Sequence, residues 1–325
     1  MKRHGRSRKY LWVILAIVLL ALPSTSGFAA DKFPSKQITF VVPWAPGGRT
    51  DIVARLIAPI YEKILGQPVV VVNKPGATGY VGLKSVAMAR PDGYTLGIAS
   101  TTFILSQYTG ESKIRWEEFK WIGQFYSTAY GIWVNSESPW KTIEELIDYA
   151  RKNPGKLKHG NSGHGALQHL LAEGLSKDLG IKMTQISYKG DGPMTVALGS
   201  KEVDVVTAPL VSARALMEAG MIRALAMASD KRSPNLPDVP TLKERGINFT
   251  GEVFEGLGAP KDTPDETIAI LENALEKARK DPGLGEALKK LDVVLEFRNH
   301  KDYTAYIDQQ DKRYHELLKV VGLIK

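Results

Sequence analysis

The residues best suited to chemistry lie in one stretch, Pro43-Trp44-Ala45-Pro46-Gly47-Gly48-Arg49-Thr50-Asp51. An apolar strand pattern, Ile38–Val42, precedes it, and a helical pattern follows from Ile52. Strand, glycine turn and helix start together make an anion site. The first-turn N–H groups have no partner inside the helix, and the helix dipole adds partial positive charge there. Gly47 and Gly48 let the backbone turn its N–H groups inward, and Arg49 adds a charged donor. An ordinary βα turn capped by Thr50 or Asp51 accounts for the same residues without a ligand.

The same grammar recurs downstream. Leu157 to Ala166, including Ser162-Gly163-His164-Gly165-Ala166, joins a strand pattern to a helix over 167–179. His164 in that turn reads either as a polar ligand contact or as a solvated loop histidine. Ser100 and Thr101 end the strand 94–99, and Tyr188 and Lys189 end the strand 184–188. Lys189 is placed to meet an anion, although a solvated lysine is the commoner case. Asp204 reads first as a structural hydrogen bond to a loop and second as an orienting group for a ligand. Trp44 offers an apolar wall, or simply packs under the next helix.

Catalytic and metal signatures are missing. The chain has no Gly-x-Ser-x-Gly elbow and no Gly-Lys-Ser/Thr after its glycines, so hydrolase and P-loop readings lack their core residues. His159, His164 and His169 are five apart, a spacing that does not stack two imidazoles on one helical face. There is no cysteine, which excludes soft-metal sites, disulfides and a lipoprotein anchor. No cofactor and no metal are expected.

The elements that must position these residues read as two βα units. The order strand, helix, strand, helix, strand over 38–99 predicts a parallel sheet with helices on its faces, binding at the carboxyl ends of its strands. A break or kink is expected at Pro59, inside the first helix. A less regular stretch over 106–119 leads to Trp121–Gln124, and Gly131–Val134 reads as the strand that starts the second unit. A capping box, Thr142 with Glu145, starts the helix 142–152. The strand 252–260 and a helical tail close the chain.

Composition bounds the class. The chain has 325 residues, 43% hydrophobic and 24% charged, as expected of a globular protein with room for two domains. The formal charge is +8, but Lys2, Arg3, Arg6, Arg8 and Lys9 lie in an opening segment without acids, and removing these five leaves +3. A nearly balanced body argues against nucleic acid as partner. The opening segment reads as a secretory signal over 1–29. It has a basic start, an apolar run Leu11–Leu22, and Gly27-Phe28-Ala29 for cleavage after Ala29, with Ala30 as the alternative. The run of twelve apolar residues falls short of the about 20 that span a bilayer.

Several stretches in order then carry a resemblance. They are Pro34–Ile38, Val41–Asp51, Gly66–Ala77, Pro91–Leu96, Tyr188-Lys189-Gly190 and Lys231–Thr241. Together they resemble the extracytoplasmic solute-binding proteins of tripartite tricarboxylate transporters, the Bug proteins, over nearly the whole mature chain. The resemblance implies an α/β fold of the type II periplasmic-binding-protein kind. Domain 1 would combine 33–128 with 248–325, domain 2 would cover 129–247, and a ligand cleft would lie between them. It implies a periplasmic protein that captures a small organic acid, often a di- or tricarboxylate, an aromatic acid or a carboxamide, and delivers it to membrane permease subunits; a monomer is expected. It puts Gly47 to Asp51 and Ser162 to Ala166 on opposite sides of the cleft, with Ser100, Thr101, Tyr188 and Lys189 nearby. The chain departs from the common pattern where specificity lies. Arg49 stands for the third glycine of Pro-Gly-Gly-Gly-Thr-Asp, Ala208-Pro209 for Asp-Asn, Phe254-Glu255 for Trp-Phe, and Gly163-His164-Gly165-Ala166-Leu167-Gln168-His169 for the usual Gly-x-Gly-Ser-x-x-His run. From this follows the expectation that Arg49 and His164 meet a distal anionic group of the ligand. The competing readings are a binding component that signals to a membrane kinase and a secreted hydrolase using His164 with Ser162 or Asp204.

Overall fold

Three parallel strands begin the sheet: β1 (Ile38–Val42), β2 (Val69–Asn73) and β3 (Thr95–Ser100), with β1 in the middle. The structure, a computed structural model, describes residues 32–109, 113–320, 322 and 324. The expected signal segment 1–29 lies outside the described residues. Lys36–Lys325 form one unit. Of the residues before it, 32–35 are described, with a cis peptide between Phe33 and Pro34.

Helix α1 (Arg49–Leu65) connects β1 to β2, and α2 (Tyr80–Ala87) connects β2 to β3. Val53, Ala54, Ile57, Ala58 and Tyr61 form the buried stripe of α1. Each large side chain so buried contributes about 1.5–3 kcal/mol. The expected break at Pro59 does not occur, because α1 runs through it. Pro59 is exposed, so the carbonyl that its ring leaves unbonded faces water.

The second unit repeats this wiring. Strands β5 (Lys158–Asn161), β6 (Thr184–Ser187) and β7 (Val205–Pro209) are parallel with β5 in the middle. Helix α5 (Leu167–Leu179) follows β5, α6 (Asp191–Gly199) follows β6, and α7 (Leu210–Glu218) follows β7. In each triplet the chain leaves the central strand to one side and later returns on the other. The loops after β1 and β5 therefore open at topological switch points, where α/β sheets bind ligands.

Two long strands join the triplets. β4 (Phe119–Asn135) and β9 (Glu252–Pro260) give the order β2-β1-β3-β9-β4-β7-β5-β6, and β8 (Ile222–Met227) also pairs with β4. The sheet is thus mixed, since β9 runs antiparallel to both β3 and β4. Of β4 only Gly131–Val134 was expected as a strand, whereas one strand runs over Phe119–Asn135. Gly123, Gln124, Ser127 and Thr128 interrupt its apolar pattern, but all are buried, and register shifts near Trp121 and Gln124 absorb the irregularity. Up to Ala129 it pairs with β9, and from Tyr130 it pairs with β7.

Helix α3 (Thr101–Ser106) follows β3, and α4 (Ile143–Lys152) begins with the expected capping box of Thr142 and Glu145. Helices α8 (Asp265–Ala278), α9 (Pro282–Lys290) and α10 (His300–Val320) end the chain. The main core runs from Val41, Phe103 and Trp121 to Leu146, Leu171 and Val205, and a second cluster lies around Trp133, Met194 and Leu198. Among the described residues no helix is long and apolar enough to cross a membrane.

Candidate functional site

Three helix starts converge at the carboxyl ends of the strands. Gly48 precedes α1, Ala166 precedes α5 and Gly190 precedes α6, and none of these three residues caps its helix with its own side chain. Their first-turn N–H groups and dipoles make a shared positive environment. A small cavity among them is lined by Trp44, Gly48, Arg49, Thr50, Thr102, Ser162 and Asp191.

The loops touch across this cavity. The Ala45 N–H donates to the Lys189 carbonyl at 3.0 Å, the Thr78 hydroxyl to the His164 carbonyl at 3.3 Å, and the Leu167 N–H to the Thr102 hydroxyl at 3.4 Å. Glycine permits this approach. A Cβ on Gly192 would fall 2.6 Å from the Pro46 carbonyl oxygen, and one on Gly163 would fall 2.5 Å from the Thr78 hydroxyl.

Arg49 is the electrostatic centre, and it is 3% exposed. Its Nε and Nη2 donate to Glu255 Oε1 at 2.9 and 2.8 Å. Its Nη1 donates to the Tyr130 hydroxyl at 3.2 Å and to Asp191 Oδ2 at 3.1 Å. Burial works against the cation, but the Tyr130 oxygen and the Glu255 and Asp191 carboxylates outweigh it and hold the guanidinium above its ordinary pKa. The Thr50 hydroxyl also donates to Glu255 Oε1, at 2.7 Å, and the Tyr126 hydroxyl donates to Oε2. Burial and the Glu255 charge push the Tyr126 phenol well up, so it remains a donor. Asp191 Oδ1 accepts from Gln168 at 2.7 Å, Oδ2 also accepts from Ser212 at 3.3 Å, and Ser162 donates to Gln168 at 2.9 Å.

Asp51 acts on the loop. It accepts from the Gly47 N–H at 3.0 Å, from Arg55 at 3.0 Å and from Asn73 at 2.9 Å. Burial raises its pKa, but these donors outweigh that and hold the carboxyl below its ordinary value. Asn73 also donates to the Trp44 carbonyl at 3.1 Å, so the two residues fasten both ends of the glycine turn. The Trp44 indole N–H and the Ser100 hydroxyl are buried and have no hydrogen-bond partner among the described residues. Thr101 is tied to β9, accepting from the Phe254 N–H at 3.2 Å.

Trp44, Gly48, Arg49, Thr50 and Ser162 are thus brought to one cavity, with Gly47, Gly163, Gly165 and Ala166 in the turns that shape it. Other expected residues stand apart. The His164 side chain is exposed and packs against His169 in a tilted arrangement, 4.8 Å between ring centroids. The Tyr188 hydroxyl donates to Glu202 at 2.9 Å, and the Lys189 side chain is exposed. Asp204 accepts from the Lys158 N–H at 2.8 Å, at the amino end of β5 and away from the loops, as a structural hydrogen bond. Sequence reasoning passed over Asp191, Thr102, Tyr126, Tyr130 and Gln168. Asp191 was recoverable, since Gly190-Asp191-Gly192-Pro193 also joins a strand to a helix.

Comparison with known proteins gives a consistent picture. The model of the tripartite tricarboxylate transporter family receptor matches residues 53–323. A Cupriavidus necator protein described as "UPF0065 protein in gbd 5'region" is 36% identical over 314 residues, 95% of this chain and 94% of that protein. The solved periplasmic binding protein BugD is 34% identical with a TM-score of 0.86, covering 90% of this chain and 100% of its own. An R. palustris protein solved with adipate is 28% identical with a TM-score of 0.85, covering 89% of this chain and 98% of its own.

Proposed function

The chain belongs to the tripartite tricarboxylate transporter receptor family, and from that premise we propose that it is a periplasmic solute receptor that closes around a small carboxylate and delivers it to membrane permease subunits. The observation that carries the ligand class is the meeting of the starts of α1 and α6 at one small cavity, with Ser162 and Thr102 completing its lining and the start of α5 bonded to Thr102. Backbone N–H groups and dipoles there favour an anion without a buried counter-charge. The adipate of the structural relative is of that class.

In this reading the receptor works as a monomer with two domains, 33–128 plus 248–325 and 129–247. The change of partner in β4 between Ala129 and Tyr130 supports that division. The segment 1–29 directs export and is removed. The ligand leaves unchanged, because binding and hinge closure are the whole task.

Calorimetry and thermal unfolding on the chain from Ala30 onward test this, after unfolding and refolding to strip any co-purified ligand. A carboxylate at 100 times its dissociation constant raises stability by about 2.7 kcal/mol and is recovered chemically intact. Failure of every aliphatic and aromatic acid to shift the transition, or steady turnover of the bound acid, would overturn the proposal.

A further inference from the structure

Charges at the site do not balance. Among the described residues Arg49 is the one cation bonded into the cluster, and both Glu255 and Asp191 bind it. Four of its N–H donors are taken by Glu255, Tyr130 and Asp191; guanidinium offers about five. The nearby Lys189 and His164 side chains are exposed. Two residues at which the chain departs from the family pattern, Arg49 and Glu255, are therefore each other's partners. The anion that Arg49 would have offered to bind is supplied by the protein itself.

The two carboxylates differ in what they have left. Glu255 is completely buried, accepts from Arg49 twice, from Thr50 and from Tyr126, and does not line the cavity. Asp191 lines the cavity and accepts three hydrogen bonds, from Gln168, Arg49 and Ser212. An ionised carboxylate has about four acceptor positions, so Asp191, part of the cavity lining, retains one. On the same cavity the Trp44 indole N–H, in a residue 7% exposed, is a buried donor without a partner. The lining thus combines an unused donor beside the start of α1 with an unused acceptor on a net negative cluster.

We propose that this receptor selects a ligand with one carboxylate and, at its other end, an amino or carboxamide group in place of a second carboxylate. The inference rests on the carboxylate reading above and narrows it. One carboxylate meets the Trp44 N–H and the uncapped helix starts, and the nitrogen group donates to Asp191. A second carboxylate would lie against Asp191, and among the described residues lining the cavity the single cation, Arg49, is already paired; like charges at close range in a desolvated site are the means by which binding sites reject the wrong partner.

Calorimetry on the refolded chain with matched series decides it: adipate, its monoamide and 6-aminohexanoate, and succinate, its monoamide and 4-aminobutanoate. The monoamide or the amino acid binds at least about tenfold more tightly than the dicarboxylate of equal length. Asp191→Asn narrows that gap, and so does Glu255→Gln, which lowers the same negative charge without touching the cavity wall. A wild-type chain that binds the dicarboxylate as tightly as its monoamide and amino-acid partners overturns the inference and leaves the carboxylate reading standing. A chain that binds no acid of either series, but does bind the uncharged diamides, overturns the carboxylate reading and this inference with it.

Discussion

Arg49 is buried between two carboxylates, so removing it leaves charge stranded in the interior. Arg49→Ala therefore lowers the unfolding free energy by about 3–5 kcal/mol, the usual cost of orphaning a buried ion, read by urea denaturation without ligand. Arg49→Gly combined with Glu255→Phe restores the common family residues and removes one charge of each sign. The pair then loses less than the sum of the singles, by about 0.5–3 kcal/mol of coupling. Additive losses in a double-mutant cycle would show that the two residues act separately. The sequence displayed both departures, but not that they meet. Arg49 and Glu255 are 206 positions apart, and Arg49 beside two glycines offers itself as a ligand contact. Only the passage of β9 alongside β3 brings Glu255 under the start of α1.

At the scale of elements, β5, β6 and α5 are held by a buried polar chain. His159 Nδ1 donates to Gln185 Oε1 at 2.8 Å, the Thr207 hydroxyl donates to His159 Nε2 at 3.0 Å, and Gln185 donates to Glu173 at 3.1 Å. Burial pushes the His159 pKa down from 6.5 to about 4. Burial and the His164 charge lower His169 likewise to about 4. His169 Nδ1 accepts the Gly165 N–H at 3.0 Å, which requires the neutral ring. Between pH 6.5 and 4 the unfolded chain takes up protons that the folded chain refuses, so stability falls as pH falls through that window. At about 1.4 kcal/mol per unit, His159 alone accounts for up to about 3 kcal/mol. Urea midpoints against pH measure this, and His159→Gln flattens part of the slope; an unchanged slope would assign it to other groups. Periodicity revealed most elements, including both glycine turns and the capping box at Thr142. It missed the continuity of β4, because a strand buried throughout shows no alternation, and Gly123 and Gly131 look like ends.

For the whole molecule the decisive positions are glycines where the two triplets meet. Gly192 is a helical residue, so alanine strains nothing in α6, yet its Cβ would fall 2.6 Å from the Pro46 oxygen and 3.1 Å from Gly47. If the two triplets part without ligand, as the proposed hinge requires, Gly192→Ala leaves ligand-free unfolding within about 1 kcal/mol of wild type and weakens ligand binding about tenfold or more, because the clash arises only on closure. Calorimetry beside urea denaturation separates the two effects, and a loss of stability without a loss of affinity would refute the assignment. Tyr130 links this closure to the charge cluster. It stands where β4 changes partners, and its hydroxyl receives Arg49.

The position of β9 has one more consequence. It lies between β3 and β4, yet it is made after every other strand. A chain delivered amino end first can assemble β5, β6, β7 and β8 against the far end of β4 while β3 and the near end of β4 still expose bare edges. Until Glu252–Pro260 arrives, half of the sheet has no centre, and unpaired edges recruit neighbouring chains. Late arrival of a central strand makes the interval just before completion the one in which the folding chain is most open to pairing with its neighbours.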